Sequence, residues 1–250
     1  MKLESLVEYV DGYLRVPDFP DYPNAYNGLQ VQGAAEVRSI CAAVDASEVA
    51  INAAAERGSD LLLVHHGLFW DGAAPVTGRR FRKLSALLRN EVGLYSAHLP
   101  LDAHPEVGNC ALLARALSIE VEKGFGSYQG VDVGWIGTTS ETRQSLRDRV
   151  SESLQVSVRL INGGSEHIHR VAVVTGGGGS MIAEAAASGA DALVTGEGAH
   201  HTYFDAMECG INVYYAGHYA TETLGVRALA AHLEARFGIP WEFLDFPTGL

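Results

Sequence analysis

Residues 40–67 read ICAAVDASEVAINAAAERGSDLLLVHHG. A short aliphatic run, an alanine-rich segment with helical spacing, a glycine and a second aliphatic run predict strand, helix and strand. That order is the unit of an α/β fold. The second predicted strand, LLLV, ends on two adjacent histidines, His65 and His66, which need either hydrogen-bond partners or a metal.

The alternation continues through RRFRKLSALLRN, VGLYSAH and EVGNCALLARAL. After a glycine-spotted stretch, 124-GFGSYQGVDVGWIG-137, it returns as VAVVTG, SMIAEAAASG, DALVTG, HTYFDAMECG, NVYYAGH and TLGVRALAAHL, closing on WEFLDF. Set without gaps against residues 171–198, the opening stretch matches Ile51 with Ile182, Ala54 and Ala55 with Ala185 and Ala186, Gly58 with Gly189, Asp60 with Asp191, Leu62 with Leu193 and Gly67 with Gly198. We read an internal duplication, with a first α/β repeat over residues 1–124 and a second over 125–250.

Aligning VGLYSAH with NVYYAGH brings His98 opposite His218 and Asp102 opposite Glu222, so 98-HLPLD-102 and 218-HYATE-222 share His-x-x-x-carboxylate. Both follow a predicted strand, where open α/β sheets place ligands. Glu222 falls one helical turn beyond His218 and shares its face, a spacing that lets two side chains grip one ion. Asp102 is expected in a loop after Pro100. In an ideal pleat His65 and His66 face opposite ways, but Gly67 permits a sharp turn, and two ions about 3.5–4 Å apart could each take one imidazole. Mixed nitrogen and oxygen donors fit Zn, Mn, Fe or Ni better than Mg or Ca.

Other candidates read more plainly. His200 and His201 suit an exposed helix start, His104 a solvated loop, His232 a helix surface, and His167 with His169 one face of a strand. The turn 175-TGGGGS-180 has no P-loop lysine and reads more readily as a tight turn than as a phosphate cradle, with a phosphorylated or nucleotide-like ligand still allowed. Phe69 and Trp70 are expected to cover a core edge. Cys41, Cys110 and Cys209 are odd in number, far apart and without a C-x-x-C pair, which reads as reduced core thiols.

Composition bounds the function. The chain has 250 residues, 47% hydrophobic, with 30 acidic against 18 basic side chains and a formal charge of −12. There is core enough for one compound domain or two smaller ones, and the acidic balance disfavours direct nucleic-acid contact. The first residues lack an apolar h-region and no run of eighteen apolar residues occurs, so we expect a soluble, cytoplasmic protein with no membrane partner.

In order and over nearly the whole chain, VHHGLFW, AHLPLDAH, TGGGG, TGEG and AGHYATETLGVRAL resemble the NIF-three-like dinuclear-metal family, whose bacterial members carry the label GTP cyclohydrolase 1 type 2 homologue. Segment 24-NAYNGLQVQG-33 is similar to its Asn-Gly-Leu-Gln element, with Tyr26 where an acidic residue is usual. The resemblance implies a three-layer α/β/α fold of two similar intertwined repeats, a toroidal homohexamer, and two metal ions per subunit. On matching residues the metal ligands would be His65, His66, Asp102, His218 and Glu222, with His98 a further ligand or an outer-shell orienter. The expected activity is metal-dependent hydrolysis of a small heterocyclic or phosphorylated substrate by a metal-activated water, with His98 as the catalytic proton carrier. The rival reading is a noncatalytic metal-binding or regulatory protein whose shell is saturated.

Overall fold

The computed structural model describes residues 1–70, 72 and 74–250. The protein is α/β and divides into two compact units, residues 1–101 with 225–246, and residues 102–224 with 247–250. The repeat boundary at 124/125 concerns order along the chain, whereas the units are drawn in space. Residues 225–246, late in the second repeat, therefore group with the first unit.

The first unit holds α1 (Leu3–Leu14), β1 (Gly28–Val31), β2 (Ile40–Asp45), α2 (Glu48–Glu56), β3 (Leu61–His66), α3 (Gly78–Arg89), β4 (Gly93–Ser96) and the start of α4 (Leu99–Asp102). Its five-stranded sheet has the order β1-β4-β3-β2, completed by a late strand over Trp241–Phe243. The strands β2, β3, β4 and this last one are parallel, and only β1 runs against its neighbour. Parallel strands are buried on both faces, which is why β2 and β3 read as unbroken aliphatic runs. Leu62, Val64 and Leu94 pack with Ile51, Ala54 and Leu87 into the core of this unit, each essentially inaccessible. Ser47 starts α2 by accepting the Ala50 N–H, a cap worth about 1 kcal/mol.

The second unit holds α5 (Asn109–Ala116), β5 (Glu120–Tyr128), β6 (Val131–Thr142), α6 (Arg143–Leu154), β7 (Arg159–Asn162), β8 (His167–Val173), α7 (Ile182–Ala187), β9 (Ala192–Thr195), α8 (Thr202–Cys209), β10 (Asn212–Tyr215) and the start of α9 (His218–Phe237); β11 is the Trp241–Phe243 strand already placed. Its sheet runs β5-β6-β8-β9-β10-β7, with β8, β9 and β10 parallel. The core joins Leu113, Leu146, Val150, Ile168, Val171, Val194 and Tyr214. The glycine-spotted stretch at 124–137 is part of the antiparallel β5–β6 hairpin.

The duplication is visible inside each unit. In β2/β3 Ile40 pairs with Leu61, and in β8/β9 Val171 pairs with Ala192, the same offset that aligned the sequence. The Asp60 carboxylate accepts the N–H groups of Arg38 and Ser39, and that of Asp191 accepts those of His169 and Arg170, again at equivalent positions. Further along, the strand register corrects the sequence alignment by one residue. Gly93 pairs with Leu61 and Asn212 with Ala192, so His98 is equivalent to Gly217, and His218 lies one residue farther on.

Four local expectations also change. Asp102 closes the short helix α4 instead of lying in a loop. Cys209 is exposed as the outward-facing last residue of α8, while Cys41 and Cys110 are buried. His104 is not simply solvated, because its Nδ1 accepts the N–H groups of Glu106 and Val107 and closes a turn. His232 lies against α1, with its Nε2 2.7 Å from the Tyr9 hydroxyl and its ring stacked on Tyr13 at 4.3 Å.

Candidate metal centre

Each unit gathers side chains that could hold a metal near the carboxyl ends of parallel strands, where such sheets leave their crevice. In the first unit His65 and His66 end β3, and His98 follows β4. The rings of His65 and His66 lie 4.7 Å apart, and those of His65 and His98 5.1 Å apart. One nitrogen from each of the three falls within 4.8 Å of the others. The strand end thus overcomes the alternation that would separate adjacent side chains in a regular pleat.

What orients these rings is a row of oxygen acceptors on Nδ1. His65 donates to the Ala97 carbonyl at 2.8 Å, His66 to the Asp45 carboxylate at 2.9 Å and His98 to the Asp21 carboxylate at 2.8 Å. A carbonyl or carboxylate oxygen can only accept, so Nδ1 carries the proton and Nε2 is the electron-pair donor of each neutral ring. This is the arrangement that metal-binding histidines use to fix tautomer and orientation.

Asp21 is held as firmly as the histidine it holds. Its side chain is 5% exposed and also accepts the Asn27 amide, while Asn27 accepts the backbone N–H of His98 at 2.7 Å. Burial alone would raise the carboxyl, but the hydrogen bond and charge of His98, with Asn27 and the Tyr22 N–H, hold it below its ordinary value. Trp70 stands edge-on to His98 at 4.7 Å and donates its indole N–H to the Gly67 carbonyl, so it borders the histidines and is not a core cover. Phe69 does pack on the core.

In the second unit the groups are Asp102, His218 and Glu222. Asp102 and Glu222 are buried, and their oxygens approach within 4.8 Å. Asp102 accepts hydrogen bonds from Asn109 at 2.8 Å and from the Thr175 hydroxyl at 3.1 Å. His218 Nδ1 lies 2.8 Å from Glu197, and its Nε2 lies 3.2 Å from Glu222 across one turn of α9. The Glu222 hydrogen bond, reinforced by Glu197, pushes His218 up to about 9, against the effect of burial. With no cation bound His218 is an imidazolium at neutral pH, and a cation bound through Nε2 must displace that proton. Cys110, pushed up to about 12 by burial and by the Asp102 charge, is an inert thiol at this pH.

Gly176 shapes the carboxylate side. Its φ is +62°, and a Cβ there would stand 2.1 Å from Glu222 Oε1 and 3.1 Å from His218 Nε2. The glycine turn is therefore a cradle for these side chains, built where only a missing Cβ leaves room. The donor set fits a transition metal on chemical grounds, with imidazole nitrogens and carboxylate oxygens held by outer oxygen partners.

The histidines and the two buried carboxylates stood out in the sequence, whereas Asp21, Asp45 and Glu197 were missed there. Asp45 and Glu197 left a usable signal, since each ends or follows a predicted strand. Asp21 left none, lying 77 positions from its partner His98. His200 and His201 are exposed, next to the start of α8.

Known proteins resemble this chain over nearly its whole length. The family model described as Duf34/NIF3 (NGG1p interacting factor 3) matches residues 1–248. A Deinococcus radiodurans protein named GTP cyclohydrolase 1 type 2 homolog is 49% identical over 99% of this chain and 94% of its own length. A Pyrococcus abyssi protein of the same name is 44% identical over the full length of both. Among solved structures, TTHA1606 from Thermus thermophilus superposes with a TM-score of 0.93 at 44% identity, covering both chains completely.

Proposed function

Because this chain belongs to the Duf34/NIF3 family, we propose that it is a metal-dependent hydrolase. Its two side-chain groups, His65, His66 and His98 on one unit and Asp102, His218 and Glu222 on the other, together serve a pair of divalent ions. His65, His66, Asp102, His218 and Glu222 hold the metals. When bound, such ions polarise a substrate oxygen and shift the pKa of water from about 15.7 toward 7.

The chain's own residues do the rest. Asp21 fixes Nδ1 of His98, so Nε2 is the atom that takes up or delivers a proton at the reacting group. Asn27 holds the backbone of the same residue, and Trp70 closes one side of the imidazole against water. Asn109 and Thr175 fix the Asp102 carboxylate, and Glu197 fixes His218. The single observation that carries this reading is that His65, His66, His98 and His218 all have Nδ1 held by an oxygen, which leaves Nε2 as the ligating atom once His218 has lost its proton, beside two buried carboxylates.

The relatives' name makes a phosphorylated nitrogen heterocycle the first substrate class to try. The cytoplasmic setting and the toroidal hexamer belong to the same proposal and rest on the family resemblance. To test it, metal-replete protein is assayed on GTP, pterins, cyclic amides and phosphoesters. We expect hydrolysis of at least one class, and a loss of roughly 10²–10⁴-fold in His98→Gln with metal content unchanged. A metal-replete protein inert toward the whole panel would instead support the noncatalytic metal-binding reading, and a fully active H98Q variant would remove His98 as the proton carrier.

A further inference from the structure

A cleft of 530 Å³ in the second unit lies outside the metal-binding groups, between the start of α6 and the edge strand β7. Three arginines line it, Arg143 and Arg147 from α6 and Arg159 from β7, against one acidic residue, Glu166. The amides of Gln144 and Asn162 complete its polar rim. Three of only 18 basic residues in a chain of charge −12 thus share one small space.

The placement runs against local electrostatics. Arg143 opens α6, where the helix dipole disfavours cations, and the first turn carries no acidic residue to compensate. Arg147 lies four residues on, where like charges repel along one face. The arginines are nonetheless oriented. Arg143 donates to the Gly164 carbonyl at 3.1 Å and pairs with Glu166 at 2.5 Å, while the Arg147 Nε donates to the Val158 carbonyl at 3.2 Å. Arg159 is exposed on a strand edge. Sites that break local rules while holding their side chains in place are characteristic of function.

We propose that this cleft binds a phosphate monoester of a small molecule. Planar guanidinium forks match phosphate oxygens bidentately, and the volume lies in the range of small-ligand pockets. The cleft is too short on cations to track a nucleic-acid backbone.

The test is calorimetric titration of the intact, metal-replete protein with inorganic phosphate and with ribose 5-phosphate. A short single-stranded oligonucleotide is the third arm, and His65→Ala the variant that reports binding at the metal centre instead. We expect saturable binding of one phosphate monoester per chain, tighter for the sugar phosphate, weakened by salt, and unchanged in H65A. Arg147→Ala and Arg159→Ala should each weaken it roughly tenfold or more. Arg159 is exposed, so R159A keeps the test decisive even if R147A unfolds. Absence of saturable binding, binding lost in H65A but kept in the arginine variants, or tighter binding of the oligonucleotide would each overturn the proposal.

Discussion

His65→Ala is expected to abolish the metal centre while leaving the fold intact. The imidazole is fully buried, held by the Ala97 carbonyl, and close to His66 and His98. Outer-sphere partners of a metal site are typically worth 10–100-fold in affinity, so loss of an inner donor should cost roughly 100-fold or more. The Ala97 carbonyl loses its partner, at about 1–3 kcal/mol. That is a modest fraction of the stability of a chain this size, whose two cores are built mainly from aliphatic side chains and include none of the imidazoles. Elemental analysis of the purified variant should find both ions missing, and circular dichroism should keep its α/β shape. Retention of two ions, or collapse of the spectrum, would show that His65 plays another part.

Gly176→Ala should weaken the same centre from the carboxylate side, without removing a donor atom. An alanine at φ +62° carries a backbone penalty of about 1–2 kcal/mol. Its methyl group would also occupy the space of Glu222 Oε1. Since Glu222 is buried and must swing away, metal affinity should fall roughly 10–100-fold, the range seen when ligand orientation is lost. Gly177→Ala is the matched control, because nothing lies within 4 Å of a Cβ there and its φ of −83° suits any residue. Equal metal affinity in the two variants would remove Gly176 from the account.

How far these features could be read in advance follows from the range of the interactions that create them. The runs ICAAV and LLLV were legible because parallel strands buried on both faces demand unbroken aliphatic sequence. His218 and Glu222 were legible because one helical turn brings them to the same face, and the structure places them 3.2 Å apart. The hairpin at 120–142 was not, because Gly124, Gly126, Gly134 and Gly137 occupy positions where alternating side chains would have marked a strand. The one-residue displacement between His98 and His218 was also hidden, since register is set by ladder hydrogen bonds and not by similarity of letters. Asp21 belongs to a proline- and asparagine-rich loop that resembles any solvated turn, and becomes informative only once the fold delivers His98 to it.

The resemblance implies five ligand positions, and within each unit their side chains are held in place. Outer oxygens hold Nδ1–H of His65 and His66 and leave Nε2 with the lone pair, and a missing Cβ leaves space for Glu222. Coordination by Nε2 at His218 must also expel a proton, because its neighbouring carboxylates push this group up to about 9. Metal uptake at neutral pH is thereby coupled to proton release.

The proposed function requires donors from both units to serve one pair of ions. Anomalous diffraction at the zinc edge, from crystals of zinc-loaded protein, tests it most directly. Two peaks per chain are expected about 3.5–4 Å apart, with His65 and His66 nitrogens and Asp102, His218 and Glu222 donors at about 2.0–2.2 Å from them. Peaks tens of ångströms apart, or a single ion bound by one unit alone, would contradict it.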